Sequence, residues 1–151
     1  MLIQFAVSSV LILVMVVIHG LGLAMLARVV RSETQEEHTR HLTPLSLRGM
    51  AFTVVIVFGL FALHGIEIWS FALFYLAVNA LPTLESALYF SSITYGTIGY
   101  SDSAIALEWR LVAAFEGIAG IILLGWSTAF FVSVVARLGA LEHDWLRTER
   151  T

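Results

Sequence analysis

The segment that decides the fold reads TYGTIGYSD, from Thr94 to Asp102. An extended strand that turns successive carbonyl oxygens to one side must alternate its backbone handedness. Glycine adopts positive φ at little cost, so Gly99 suits this use. Thr97 can add a hydroxyl oxygen at the inner end, and Tyr100 can pack outward against the preceding residues. The segment therefore predicts a loop that presents a row of oxygen atoms.

A short helix is predicted immediately before this loop, over residues 83–96. Pro82 opens the run, and Thr83 with Glu85 and Ser86 gives an acceptable helix start. The helix is too short to cross a bilayer, which takes about 20 residues. Because it lies between two longer apolar stretches, it is typical of a re-entrant helix. Such a helix is tolerated at membrane depth where protein or a water-filled cavity satisfies the backbone beyond its end.

Three long apolar stretches surround this region, and they comprise Leu2–Val30, Met50–Ala80 and Trp109–Ala136. Each exceeds the length of about 20 residues that a helix needs to span a bilayer. The 151-residue chain is 59% hydrophobic and only 13% charged, whereas soluble domains carry about a quarter charged residues. We therefore predict an all-α integral membrane protein with three transmembrane helices, a re-entrant pore helix and a loop.

Composition also excludes several functions. The net charge is −3 and the eight basic residues are all arginine, scattered along the chain, so we expect no nucleic-acid partner. Cysteine is absent, which excludes a disulfide framework, thiolate metal sites and a cysteine nucleophile. No nucleophile, base and orienting residue stand at a recognisable spacing, so an enzyme is not expected.

Arginine asymmetry predicts the orientation in the membrane. Three arginines lie between the first two stretches and three follow the third, whereas residues 81–108 hold none and Arg110 stands just inside the third stretch. By the positive-inside rule, the first loop and the C-terminus are cytoplasmic, and residues 81–108 and the N-terminus are external. We expect the protein in a cell membrane, plasma or inner, with lipid as a partner.

The predicted organisation has a peripheral helix, a linker, a pore domain and a short tail. These parts cover residues 1–31, 32–49, 50–137 and 138–151, and the pore domain divides into an outer helix (50–80), the pore helix (83–96), the loop (97–102) and an inner helix (109–137). In the tail, Leu138, Leu141 and Trp145 recur at helical spacing, which predicts a continued helix.

The loop resembles the filter of potassium channels, whose TVGYG carbonyls replace an ion's hydration shell. The resemblance covers about Trp69 to Arg137. Residues 87–91, ALYFS, look like the pore helix of that family, and the WR, EG and G at 109–110, 116–117 and 120 look like the start and glycine hinge of its inner helix.

The resemblance implies roles for individual residues. K⁺ would bind to the carbonyl groups of the filter, which comprises Thr97, Ile98, Gly99, Tyr100 and Ser101. Filter support would come from Tyr89, Thr94, Asp102 and Glu116, with Tyr89 hydrogen-bonded to Asp102. The depth of Glu116 in the third span allows it to pack behind the pore helix and satisfy its backbone, or to face the pore.

Two residues depart from the family pattern. Ser101 replaces the second filter glycine, and a left-handed conformation at a residue other than glycine costs roughly 1–2 kcal/mol. Phe90 has no polar atom with which to tether the Tyr100 hydroxyl. The outer ion site and strict potassium selectivity therefore depend on how the chain accommodates Ser101.

Ionisable residues inside apolar helices are expensive and indicate function. His19 and His64 fall at similar depth when counted from the external ends, and Glu67 shares a helix face with His64. One interpretation is a pH-sensitive cluster. The plainer one is a neutral histidine bonded to a carboxylate as a link between helices, and a third is zinc bound by two histidines and one carboxylate.

Gly117 and Gly120 allow two interpretations as well. They can form a hinge at which the inner helix bends, or they can allow close packing at a small-residue interface.

The function predicted from these residues is passive potassium conduction. One loop forms a quarter of a ring, so a closed pore requires a homotetramer. No cofactor is expected beyond the permeant K⁺ ions. The alternatives are a nonselective sodium and potassium channel on the same scaffold, a cation transporter subunit, and a non-conducting membrane interaction protein.

Overall fold

A computed structural model describes residues 1–37, 47–99 and 104–148 of the chain. These residues form four α-helices, which are α1 (Leu2–Glu37), α2 (Leu47–Ala77), α3 (Leu84–Tyr95) and α4 (Arg110–Thr148). A short 3-10 helix, Leu107–Trp109, leads into α4. Within the described ranges there is no strand, and the predicted all-α fold is confirmed.

Three of the helices are long and apolar enough to cross a membrane. The spans are Leu2–Ser32, Gly49–Ala77 and Leu107–Ala136, with mean hydropathies of 2.7, 2.1 and 2.2 over their most apolar windows. Only 17%, 17% and 28% of the residues in these windows are buried within the chain. Most of their apolar surface is therefore available to lipid or to other subunits, and the prediction of an integral membrane protein is confirmed.

The helix boundaries follow from local chemistry. The second span was expected over 50–80, whereas α2 covers Leu47–Ala77. Asn79 adopts a left-handed conformation with φ 54°, which asparagine tolerates better than most residues, and the Ala80 amide donates to the Tyr75 carbonyl at 2.8 Å. At the other end of the chain, α4 continues through residues 138–148, the segment whose spacing predicted a further helix.

The start of α3 is held by a reciprocal cap. The Ser86 amide donates to Thr83 Oγ1 at 3.1 Å, and the Thr83 amide donates to Ser86 Oγ at 3.2 Å. Serine therefore takes the place that glutamate or glutamine holds in the usual capping box. This cap satisfies two amides that the first turn would otherwise leave without acceptors.

The chain divides into two compact units. The first comprises residues 1–20 and 63–125. Its core surrounds α3, where Ala87 and Phe90 pack among buried side chains that include Phe71, Tyr75 and Val112. The rings of Tyr75 and Phe90 meet edge to face, with centroids 5.6 Å apart. Contacts from α2 and α4 therefore enclose the short helix within this unit.

The second unit comprises residues 21–62 and 126–151. Its core is small and consists of Val30, Ile56 and Val134, with partly buried leucine and phenylalanine side chains around them. Gly59 allows close packing here, because a Cβ at this position would stand 2.5 Å from Leu26 Cδ2.

Candidate functional site

The candidate filter begins where α3 ends. The Gly96 amide donates to the Ser92 carbonyl at 3.0 Å, and the Thr97 amide donates to the Thr94 carbonyl at 3.1 Å. The next two amides, of Ile98 and Gly99, both donate to the Ile93 carbonyl, at 2.9 and 3.3 Å. The first filter residues are thus folded back onto the last turn of α3.

This turn corrects one prediction from the sequence. The sequence predicts a left-handed backbone at Gly99. In the described part of this segment Thr97 has a positive φ, 55°, and no described glycine of the chain does. The physical reason is the turn itself, because reversal at Thr97 lets the two following amides reach the Ile93 carbonyl. Threonine is β-branched, so a left-handed conformation there is a genuine outlier.

The outer part of the predicted filter lies outside the described residues. This applies to Tyr100, Ser101 and Asp102. The predicted hydrogen bond between Tyr89 and Asp102 therefore stays a prediction. Tyr89 lies on α3, and 68% of its surface is exposed in the single chain. Ile98, which follows α3, is 80% exposed.

One face of α3 is anchored by two carboxylates, which we call the carboxylate anchors Glu116 and Glu67. Ser91 and Tyr95 are four residues apart, so they lie on the same face of the helix. Both are buried. The Ser91 hydroxyl donates to Glu116 of α4, and the Tyr95 hydroxyl donates to Glu67 of α2. The pore helix is therefore tied to both neighbouring spans.

The Glu116 anchor also binds α2. Tyr75 Oη donates to Glu116 Oε2 at 2.6 Å, and Ser91 Oγ lies 3.0 Å from the Ile68 carbonyl as well. Glu116 is 1% exposed. The sequence suggested that Glu116 satisfies the backbone of the pore helix. The structure shows it accepting instead from side-chain hydroxyls of α3 and α2, and its role as filter support stays a prediction.

The Glu67 anchor is the centre of a polar cluster, which we call the histidine cluster: His19, His64, Glu67 and Tyr95. His19 Nδ1 lies 2.8 Å from Glu67 Oε1, and His64 Nδ1 lies 3.1 Å from Glu67 Oε2 and 2.9 Å from the Tyr95 hydroxyl. The structure thus brings together the two histidines and the glutamate that the sequence grouped. Their predicted sensitivity to pH stays a prediction.

Tyr95 of this cluster is a residue that sequence reasoning missed. Burial raises the pKa of its hydroxyl well above the usual range, and the hydrogen bond to Glu67 raises it further. The hydroxyl therefore keeps its proton and serves as a donor. Ser91 and Tyr75 were missed too, and the available signal was the spacing of Ser91 and Tyr95 along an otherwise apolar helix.

The inner-helix glycines lie against the end of α3. A Cβ at Gly120 would stand 2.2 Å from the Tyr95 carbonyl oxygen, and one at Gly117 would stand 3.4 Å from the Thr94 carbonyl oxygen. The first distance excludes a side chain at Gly120, and the second is an ordinary contact. Gly120 therefore serves close packing between backbones, and α4 stays helical through both positions.

A cleft of about 260 Å³ lies beside the filter segment. Its lining includes Thr94, Thr97 and Gly99 on one side and Ala113, Ala114 and Gly117 of α4 on the other. Thr94 Oγ1 is buried and has no hydrogen-bond partner among the described residues. The predicted filter support Thr94 therefore lines a space directly behind the first filter residues.

A short helix enclosed by spanning helices, and continued by a glycine loop, defines the class of membrane proteins that carry a pore loop. The family model described as "Ion channel" matches residues 53–137, which is more than half of the chain. The chain therefore belongs to this ion channel family. No match was found among curated proteins or among solved structures.

Proposed function

We propose that this chain is one subunit of a homotetrameric channel that conducts potassium passively through the filter TIGYS, residues 97–101. The observation that carries the proposal is the contrast between the buried side of α3 and the exposed segment that follows this helix. Ser91 and Tyr95 are fixed by two buried carboxylates, whereas Thr97, Ile98 and Gly99 are exposed in the single chain. An anchored helix thus presents an exposed segment that other copies of the chain would cover in a tetramer.

The proposed mechanism follows from the chemistry of carbonyl oxygens. A potassium ion leaves most of its water when a ring of carbonyls replaces the hydration shell. One chain contributes one strand, and a single strand cannot surround an ion, so four chains related by fourfold symmetry complete the ring. In the assembled pore the strand leaves the turn at Thr97 and turns its carbonyls to the central axis.

The test is electrical recording from the purified protein in lipid bilayers under opposed potassium and sodium gradients. We expect a reversal potential close to that of potassium. The matched variant is Gly99→Ala, which places a side chain in the filter and should abolish selective current. The control is Gly125→Ala. A Cβ at either glycine meets nothing within 4 Å in the single chain, so only the variant in the proposed filter should lose current. Absence of current from well-assembled wild-type protein would contradict the proposal.

Assembly is tested separately by native mass spectrometry in mild detergent. A tetramer is expected. A stable monomer or dimer as the functional species would favour a non-conducting membrane interaction protein instead.

A nonselective sodium and potassium channel is the second candidate. Ser101, in place of the family's second filter glycine, favours it, because strain at this residue would weaken the outer ion site. A reversal potential near zero under the same gradients would select this alternative. The proposed location is a cell membrane with the N-terminus outside, in keeping with the arginine distribution.

A further inference from the structure

The histidine cluster lies where three helices of the first unit meet. His19 belongs to α1, His64 and Glu67 to α2, and Tyr95 to the last turn of α3. His19 and Glu67 are fully buried, and the His64 side chain is 13% exposed. Ionisable groups at such a position within apolar spans are expensive, and they indicate a function.

Counting protons assigns the tautomer of His64. The Tyr95 hydroxyl donates its single hydrogen to Glu67 Oε2, so it cannot also donate a hydrogen bond to His64 Nδ1. This nitrogen lies 3.1 Å from the same carboxylate oxygen and 2.9 Å from the tyrosine oxygen. It must therefore carry a hydrogen, because two lone pairs would otherwise face each other.

The opposite ring nitrogen of His64, Nε2, then carries a lone pair and no hydrogen. Nε2 is buried and has no hydrogen-bond partner among the described residues. Glu67 meanwhile accepts hydrogen bonds from both histidines and from Tyr95. With neutral histidines, Glu67 carries a negative charge that faces only neutral hydrogen-bond donors. A cation bound beside Glu67 would compensate that charge.

The spacing of the donor atoms fits a small transition metal. Two histidine nitrogens and the Glu67 carboxylate lie within 4.8 Å of one another. Tetrahedral zinc with bonds of about 2.0–2.1 Å holds its ligand atoms roughly 3.3 Å apart. The hydrogen-bonded pairs here are 2.8 and 3.1 Å apart, so each needs a shift of a few tenths of an ångström. The two histidine nitrogens lie within 4.8 Å of each other and would have to reach the same spacing.

We propose that His19, His64 and Glu67 bind a divalent transition-metal ion of the Zn²⁺ type, with the Tyr95 hydroxyl orienting the Glu67 carboxylate. Coordination through Nδ1 displaces one hydrogen from each imidazole, and the Nε2 atom of the same ring takes that hydrogen, so both rings stay neutral. Two imidazoles and one carboxylate suit zinc and its neighbours, and not the hard cations that prefer oxygen alone. The bound ion would join α1 to α2 next to the end of the pore helix.

The experiment measures metal binding and does not require conduction, so it fails or succeeds independently of the proposed function. Full-length protein in detergent is stripped with a chelator and titrated with Co²⁺, whose visible absorption reports four-coordinate binding. Zn²⁺ then competes for the same site. We expect one ion per chain, and spectra typical of mixed nitrogen and oxygen ligands. Wild-type protein that binds neither ion in the micromolar range would overturn the proposal.

Matched variants separate the site from background binding. The control removes the other three histidines, in the variant His38→Ala, His41→Ala, His143→Ala, and should bind as the wild type does. The variant His19→Gln, His64→Gln keeps a hydrogen-bond donor at each position and should weaken binding by about 100-fold, and Tyr95→Phe by about 10-fold.

Circular dichroism verifies that each variant is folded. Unchanged Co²⁺ binding in a folded His19→Gln, His64→Gln protein would overturn the assignment, as would loss of binding in the three-histidine control.

Discussion

Gly120 lies so close to Tyr95 that a Cβ at the glycine would stand 2.2 Å from the tyrosine carbonyl oxygen. In a membrane there is no hydrophobic drive between helices, so van der Waals contact between closely packed backbones is a principal source of association. The inner helix can therefore support the end of the pore helix only because position 120 has no side chain.

Gly120→Ala should destabilise the protein and disturb the filter. The added methyl must push α4 away from α3, and overpacking of this kind typically costs about 1–3 kcal/mol. We expect a lower midpoint of thermal unfolding in detergent. The matched control is Gly125→Ala in the same helix, where a Cβ meets nothing within 4 Å and alanine favours the helix. Equal unfolding midpoints for the two variants would argue against the close contact.

Substitutions at Glu116 distinguish hydrogen bonding from charge. In Glu116→Gln, an oxygen remains for the Tyr75 hydroxyl and an amide group replaces the oxygen at Ser91, so both contacts keep a partner. In Glu116→Ala, the Tyr75 hydroxyl loses the acceptor at Glu116, at roughly 1–3 kcal/mol, whereas Ser91 can still donate to the Ile68 carbonyl. We expect stability close to wild type for glutamine and a clear loss for alanine, measured by thermal unfolding. A loss as large with glutamine as with alanine would mean that the negative charge itself is required.

Two neighbouring serines of the pore helix offer a matched pair. Ser91 is buried and donates to Glu116, whereas Ser92 is exposed and donates to the Leu88 carbonyl of its own helix. Ser91→Ala should reduce the selectivity for potassium over sodium, because the helix behind the filter loses one carboxylate anchor. Ser92→Ala should leave selectivity unchanged. The permeability ratio from bilayer recording measures both, and the reverse order of effects would contradict the anchor's role.

The last prediction concerns Ser101, which lies outside the described residues. If the filter keeps the alternating backbone of the family, this serine holds positive φ at roughly 1–2 kcal/mol per subunit. Ser101→Gly should remove that strain and increase potassium selectivity or the heat stability of the assembly. Reduced selectivity in the glycine variant would show instead that the serine is an essential part of the filter.

The helices and the grouping of His19, His64 and Glu67 were predictable because both follow from one-dimensional regularities. Apolar length identifies a span, and equal depth with a spacing of three residues places ionisable groups together. The partners of Ser91 and Tyr95 were not predictable in the same way. Their hydroxyls meet carboxylates 25 and 28 residues away in sequence, and such contacts depend on how three helices cross.

The backbone turn at Thr97 was not predicted either, because hydrogen bonds to the last carbonyls of α3 determine its conformation and the threonine side chain does not. Threonine disfavours the left-handed region, and no local pattern would have selected it over Gly99. The carbonyl of Ile93 accepts the amides of Ile98 and Gly99, which lie five and six residues further along the chain, so the contacts that decide this conformation are not made by Thr97 itself.

That turn has a consequence for biogenesis. Lipid hydrocarbon offers no hydrogen-bond partners, so any segment inserted as a lone chain must satisfy its own backbone donors. The amides of Thr97, Ile98 and Gly99 all find acceptors on the helix that precedes them. A single chain therefore keeps these three donors satisfied within the bilayer, and in the proposed tetramer an extended filter would release the bonds.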